Sequence, residues 1–321
     1  MMQTKSNSVY IVIPVFNDWE SLSLLVSKLQ ADNPSALVAR FHLVLVNDCS
    51  SLDPNPELLP SALPYTLINL NRNVGHQRAI AIGLSYVSAE FGPSTVVVMD
   101  SDGEDIPAHV QALVEASEVA GNGLVFAERT RRREGIVFQV SYKLYKRVFK
   151  LLTSKRIAFG NFSCIHPKAL AKVVHVSEIW NHYSGGVIRS KLPLVTLPLE
   201  RGSRLAGKST MNYTSLVMHG LSSIAVHIDT VSIRILIFSL ITIVLGFMGI
   251  TGVLYMKLFT SLAFPNWAST VILGLGTIMM QAFIISLFLA FTMLNYRTQK
   301  NVIPAKDYAD FILSVEGQTG H

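Results

Sequence analysis

The chain has 321 residues, half of them hydrophobic and 15% charged, with a formal net charge of +6 and a mean hydropathy of +0.40. That composition excludes an ordinary soluble enzyme, and the length suits one large domain with an appendage. Cys49 and Cys164 show no metal-ligand spacing, and so few cysteines suggest a reducing compartment rather than a disulfide framework.

In chain order, V-Y-I-V-I-P-V (Val9–Val15) predicts an apolar strand, followed by Phe16-Asn17-Asp18 and a helix with Leu22, Leu25, Val26 and Leu29 on one face. Asp18 stands where it could cap that helix. Phe41–Val46 predicts a second strand ending in Asn47-Asp48-Cys49-Ser50, and Tyr65–Leu70 a third. Asn71-Arg72-Asn73-Val74-Gly75-His76-Gln77 then leads into a helix from about Arg78 to Ser88. Val96–Met99 predicts a fourth strand, Ile106–Ala120 a helix with Pro107 in its first turn, and Leu124–Ala127 a fifth strand. Strands alternating with helices predict a three-layer α/β domain with a mostly parallel sheet, whose ligands bind beyond the carboxyl ends of the strands. Asp18, Asp48, Arg72, Asp100 and Asp102 all fall at such ends.

The fourth strand carries the sharpest signal. V-V-V-M-D-S-D ends in two carboxylates spaced i, i+2, which point the same way along an extended chain. Such a pair suits a hard divalent cation that can hold a diphosphate. Two solvated turn aspartates capping the next helix would leave the same trace.

Beyond Arg129 the pattern changes. Arg131-Arg132-Arg133 reads as a solvated or headgroup-facing run, and Gln139–Leu152 as a basic amphipathic helix, either interfacial or packed on the domain. No charged residue occurs between Arg234 and Lys257, nor between Lys257 and Arg297. Ile235–Met256 and about Trp267–Tyr296 therefore read as two transmembrane helices joined near Phe264-Pro265-Asn266; two buried core helices are the alternative. Lys257 is the only charge in the hairpin loop, while Arg234, Arg297 and Lys300 flank the outer ends, so both ends should face the cytoplasm. Met1–Ser8 lacks the apolar run of a signal peptide, in agreement. The net positive charge then fits an anionic membrane surface, and no nucleic-acid partner is expected. The expected organisation is a catalytic domain over 1–212, a juxtamembrane amphipathic helix over 213–231, two membrane helices over 232–297 and a cytoplasmic tail over 298–321.

Five segments carry a resemblance. They are I-V-I-P-V-F-N-D, L-V-N-D-C-S, L-N-R-N-V-G-H-Q-R-A-I-A-I-G-L, V-V-M-D-S-D-G-E-D-I-P and E-R-G-S-R-L-A-G-K-S-T-M-N-Y. In order and spacing over about residues 8–230, the chain resembles the family 2 glycosyltransferases of the GT-A (nucleotide-diphospho-sugar transferase) fold, nearest the polyprenyl- and dolichol-phosphate sugar synthases. The resemblance implies a nucleotide-sugar donor, a polyprenyl phosphate acceptor, Mg2+ or Mn2+ as cofactor, and an inverting transfer at the cytoplasmic face of the cell membrane. Pro14, Phe16, Asn17, Asp18, Asp48, Arg72, Asn73, Gly75 and Asp100 would hold the nucleotide. Asp100, Asp102 and Glu104 would bind the metal; Arg129, Arg201, Arg204, Lys208 and Ser209 would bind phosphate; Asp102, Arg201 and Arg204 would act in catalysis. The basic run from Arg201 to Lys208 also fits a solvated juxtamembrane patch. A small two-span protein of this kind also allows homo-oligomers.

One departure bears on the acceptor. In A-F-G-N-F-S the family's carboxylate is Asn161 and its following arginine is Ser163, and the family's P-L-R before the membrane leaves Arg234 as a loose stand-in. An amide takes no proton, but a phosphate acceptor is already ionised near neutral pH. Asn161, Trp180 and His182 are the acceptor-side candidates, and His76 could touch phosphate or hold its loop. Another lipid or a surface glycan intermediate as acceptor, and a non-catalytic scaffold, are the alternatives.

Overall fold

The computed structural model describes residues 8–52, 63–129, 147–154, 159–207, 220–260, 266–298 and 301–318. The chain forms two units: Met1–Lys146 with Arg156–Val226 and Asn301–His321, and Arg147–Lys155 with His227–Lys300.

The first unit is built on one sheet. Its strands are β1 (Val9–Val15), β2 (Phe41–Asn47), β3 (Tyr65–Leu70), β4 (Thr95–Val98), β5 (Leu124–Arg129), β6 (Phe159–Ile165), β7 (Leu194–Leu199) and β8 (Ile312–Gln318), in the order β7-β5-β6-β4-β1-β2-β3-β8. The β3-β2-β1-β4 core is parallel throughout. β6 runs antiparallel between β4 and β5, β7 is parallel to β5, and β8 is antiparallel on the β3 edge. The longer helices are α1 (Trp19–Ala31), α2 (His76–Glu90), α3 (His109–Ala120), α4 (Pro167–Val173) and α5 (Tyr183–Ser190).

Strand alternation sorts the core into two layers. Tyr10, Val12, Val44, Val46, Val96 and Val98 face one cluster with α2, α4 and α5. Val9, Ile11, Ile13, Leu43, Leu45, Val97 and Met99 face the other, with α1 and α3. Both faces are covered, which is why these strands read as unbroken apolar runs rather than as alternating ones. The helix α2 lies so close to the sheet that a Cβ on Gly83 would stand 2.6 Å from Val12 Cγ1 and 2.9 Å from Val46 Cγ2.

The five expected strands are present, and three more complete the sheet. One of them corrects the expected organisation. The stretch read as a tail over 298–321 returns to the first unit, where β8 pairs with β3 from Tyr65↔Gln318 to Leu70↔Ile312. Ala305 N–H donates to the Val174 carbonyl at 2.9 Å, and Tyr308, Phe311 and Ile312 pack on the α2 layer.

The second unit holds α6 (Ile228–Phe259) and α7 (Trp267–Thr298), each 32 residues long. At about 1.5 Å per residue each exceeds the roughly 30 Å hydrocarbon core. Both are long and apolar enough to cross a membrane, with mean hydropathy 2.4 and 2.2 over their best windows. They pack on each other through Gly246 against Met279 and Gly249 against Leu275. Their outer faces stay open, Phe238 at 70%, Leu258 at 74% and Phe288 at 68% exposure, which removes the buried-core-helix alternative. Arg234 donates to the Leu151 carbonyl and to Ser154 Oγ, closing the helical stretch at residues 147–153. The rest of the expected basic helix over 139–146, Arg131-Arg132-Arg133, residues 213–219 of the juxtamembrane helix, residues 261–265 of the hairpin loop, Lys300, and Lys208 and Ser209 lie outside the described residues.

Candidate active site

The carboxyl ends of β1 and β4 are neighbours, and the loops that follow them hold two carboxylates, Asp18 and Asp102, on one guanidinium from the segment after β7. Arg204 Nη2 donates to Asp18 Oδ1 at 2.8 Å and its Nη1 to Asp102 Oδ2 at 3.2 Å. Asp18 Oδ2 accepts from Ser101 Oγ at 3.1 Å. Asp18 does occupy the N-cap position of α1, but its side chain makes no capping bond; it serves this cluster instead. Asp102 Oδ1 accepts the Glu104 N–H at 3.0 Å, and the Asp100 N–H donates to Asp105 Oδ2, also at 3.0 Å.

The segment after β7 lies directly on this loop. Gly202 N–H donates to the Glu104 carbonyl at 2.8 Å and Leu205 N–H to the Asp102 carbonyl at 2.9 Å. Gly103 adopts φ +81° beneath Leu205, where a Cβ would fall 2.3 Å from Leu205 Cγ, so both its backbone angle and its neighbour require glycine. Arg201 pairs with Glu104, and Ser21 Oγ donates to the Ala206 carbonyl at 3.0 Å. Arg201 and Arg204, about a hundred positions from the D-x-D in sequence, are thus seated against it.

Electrostatics make this a strained cluster of negative charge. Burial, followed by the Asp100 charge, pushes Asp102 up to about 6, while Arg204 and Arg201 pull it down. The two hard oxygen donors of Asp100 and Asp102 fit a divalent cation, which would relieve that repulsion. The third expected ligand does not join them, because Glu104 turns to Arg201. Among the described residues no three His, Cys, Asp or Glu side chains form a metal cluster of their own.

A polar chain leaves the cluster on the β6 side. His76 Nε2 lies 3.1 Å from Asp100 Oδ1 and 3.0 Å from Asn161 Nδ2. Burial lowers the His76 pKa, but Asp100, Asp105 and Asp102 together outweigh it and the net direction is up. Gln77 Nε2 donates to Asn161 Oδ1 at 3.2 Å, and Gln77 Oε1 accepts the Tyr183 N–H at 2.6 Å. Ser163 Oγ and Tyr183 Oη are 2.9 Å apart in the buried layer beneath. Asn161 is therefore held at both ends of its amide. Trp180 and His182, the other acceptor-side candidates, have internal uses: both are buried, and His182 Nδ1 accepts the Gly185 N–H at 3.1 Å as the N-cap of α5.

On the β2 and β3 side the expected nucleotide residues split. Asp48 is 3% exposed, and its two oxygens accept the Val74 N–H at 2.6 Å and the Gly75 N–H at 2.9 Å, so its carboxylate anchors the following loop. Burial raises its pKa, and those two N–H groups partly offset the rise. Asn17, at φ +54°, accepts the Leu52 N–H at 3.1 Å and so ties the turn after β1 to the one after β2. Pro14 lies within β1, while Phe16 and Arg72 remain open at the strand ends and Asn73 is exposed beside them. Gly75, at φ +91°, is the residue before α2. Arg129 ends β5. Ser101, Asp105 and Gln77 were not among the expected site residues; all three sit inside the quoted motifs, but their partners are set only by the fold.

The profile of the glycosyl transferase family 2 matches residues 10–180, more than half of the chain. The chain belongs to glycosyl transferase family 2. Within this family it is similar to the undecaprenyl-phosphate 4-deoxy-4-formamido-L-arabinose transferase of Yersinia enterocolitica, 29% identical over 166 residues, 50% of this chain and 48% of that one. The transferase of the same name from Yersinia pestis is 30% identical over 162 residues, covering 49% and 47%. The chain thus spans about half the length of the curated relatives it matches. Among solved structures, the glucosyl-3-phosphoglycerate synthase of Mycobacterium tuberculosis, in complex with Mn2+, uridine diphosphate and phosphoglyceric acid, superposes with a TM-score of 0.51 at 15% identity. That superposition covers 70% of this chain and 78% of the synthase, and it shows a shared fold.

Proposed function

We propose that this family 2 protein moves a sugar from a nucleotide-sugar donor to a polyprenyl phosphate at the cytoplasmic face of the cell membrane, with inversion at the anomeric carbon. The observation that carries the reading is the Asp18–Arg204–Asp102 cluster at the carboxyl ends of β1 and β4, in a chain that also has two helices long and apolar enough to span a bilayer. The relatives' names support the acceptor class.

The chemistry follows from the groups present. The acceptor phosphate oxygen forms a bond to the anomeric carbon as the bond from that carbon to the donor phosphate breaks, and the nucleoside diphosphate leaves with the electron pair. An ionised phosphate needs no general base, so an amide at Asn161 is compatible with transfer. Arg204 and Arg201, with Lys208 beyond them, are the cations for the departing diphosphate, and a guanidinium suits its oxygens in bidentate fashion. Asp100 and Asp102 would hold Mg2+ or Mn2+, which supplies Lewis-acid charge to the leaving group when bound. Phe16, Arg72 and Asn73 would face the nucleoside.

A second reading keeps the donor and changes the acceptor to another lipid or glycan intermediate, favoured by one observation: both ends of the Asn161 amide are taken by His76 and Gln77. The test is transfer from radiolabelled nucleotide sugars to undecaprenyl or dolichyl phosphate in detergent, with and without divalent cation. Metal-dependent label in the organic phase, lost in Asp102→Ala, is the expected result. Nucleotide binding without transfer would move the acceptor to the second reading. Neither binding nor transfer would overturn both in favour of a scaffold.

A further inference from the structure

The segment after the second apolar helix is fastened to the loops that follow β2 and β3. Asn69 Nδ2 donates to Ser314 Oγ at 3.0 Å and to Glu316 Oε1 at 2.9 Å. Asn47 Nδ2 donates to Asn69 Oδ1 at 2.9 Å, the Ser50 N–H to Asn47 Oδ1 at 3.0 Å, and the Asn17 N–H to Ser50 Oγ at 3.0 Å. A backbone N–H can only donate, so Ser50 fixes which way the Asn47 amide faces, and Asn47 in turn fixes Asn69. The ladder crosses the carboxyl ends of β1, β2 and β3 and terminates on β8. A second set of bonds holds the next loop. The Asn71 N–H donates to the Phe311 carbonyl at 3.0 Å, and Asn71 Nδ2 to the Asp310 carbonyl at 2.9 Å. The Arg72 guanidinium lies over the Phe311 ring at 5.7 Å, and that ring in turn packs on Trp180 at 4.8 Å.

We infer that residues 310–316 are a positioning element of the donor site, with Phe311 setting Arg72 in place for the nucleoside diphosphate. The inference rests on the donor reading above. Arg72 is exposed and long, so without a partner it would lose much side-chain freedom on binding; a ring beneath its guanidinium removes part of that loss in advance. β8 is antiparallel and at the sheet edge, which brings its first residues rather than its last to the carboxyl ends of the parallel strands. Phe311 does not touch the nucleotide in this assignment; it acts through Arg72 and Asn71.

The test is calorimetric binding of UDP, GDP, CDP and ADP to the full chain in detergent, together with donor KM and kcat. Phe311→Ala should weaken the nucleotide that the parent binds by about 3- to 10-fold and raise donor KM with kcat within about twofold. Phe311→Tyr, which keeps the ring, should restore both. Should Phe311→Ala fail to fold, Asn71→Ala removes only the side-chain bond to Asp310 and carries the same expectation. A lowered melting temperature with unchanged nucleotide affinity would overturn the inference, leaving β8 a stabilising strand. A parent that binds none of the four would overturn the donor reading and this inference with it.

Discussion

Asp48 shows how one carboxylate at a strand end can serve the fold before any ligand. It was expected to hold the nucleotide, yet its two oxygens accept the backbone N–H groups that start the Val74-Gly75 loop. Removing a buried charged acceptor strands both donors, at about 1.5–3 kcal/mol for a hydrogen bond to a charged group. Asp48→Ala should therefore lower unfolding stability by about 2–4 kcal/mol in the absence of any nucleotide, read by thermal or denaturant unfolding in detergent. Unchanged stability with lost nucleotide affinity would return Asp48 to the ligand set. Asp18 and Asp102 are the opposite case, since their partner is Arg204, which a donor diphosphate can draw away. The D-x-D itself was legible in the sequence, but not by the period of an extended strand: β4 ends at Val98, and Asp100 and Asp102 lie in the turn that follows it. That Glu104 would turn to Arg201, and that Trp180 and His182 would be buried, was not legible, since those side chains answer to distant neighbours.

At the scale of elements, α2 is the piece that ties the loop after β4 to the β6 side. Its first turn carries His76 and Gln77, which reach Asp100 and Asn161, and its interior is pressed on β1 and β2 at Gly83. Alanine at 83 would gain about 1 kcal/mol of helix propensity, but its Cβ meets two valines of the packed sheet, where overpacking costs about 1–3 kcal/mol. The steric cost wins, so Gly83→Ala should lower the melting temperature, and by shifting α2 it should also weaken transfer. Equal or higher stability would mean that the helix can lift from the sheet at no cost. β8 was invisible to a reading by periodicity because its apolar residues do not mark a buried face: Leu313 and Val315 are exposed on this edge strand. Its pairing partner β3 lies more than 200 residues upstream, and only edge-strand pairing in the folded sheet could join them.

For the whole molecule, the proposed orientation places Lys257 on the far side of the bilayer from Cys49. The chain is well suited to thiol labelling. Cys164 is fully buried and burial pushes it up to about 12, so it stays protonated and shielded at pH 8, whereas Cys49 is exposed. A membrane-impermeant maleimide on intact cells should label Lys257→Cys and spare Cys49, which should react only after permeabilisation. Labelling of Cys49 in intact cells would reverse the orientation. The Cys164 shift also has a stability consequence. Its folded pKa lies above the ordinary 9.0, so stability is undisturbed below that value and declines as the pH climbs from there toward about 12.

The class of sheet, the two long apolar helices and the carboxylates that follow the strands are all readable from residue order, because each is written in periodicity, composition or a short motif of adjacent residues. What those groups do to one another follows from the folded sheet and not from residue order. It seated Arg204 between Asp18 and Asp102, closed the Asn161 amide between His76 and Gln77, and returned the last strand to the sheet beside Arg72. Each of these contacts joins segments far apart in the chain, and their loop-closure cost is met only when the sheet that holds them has formed.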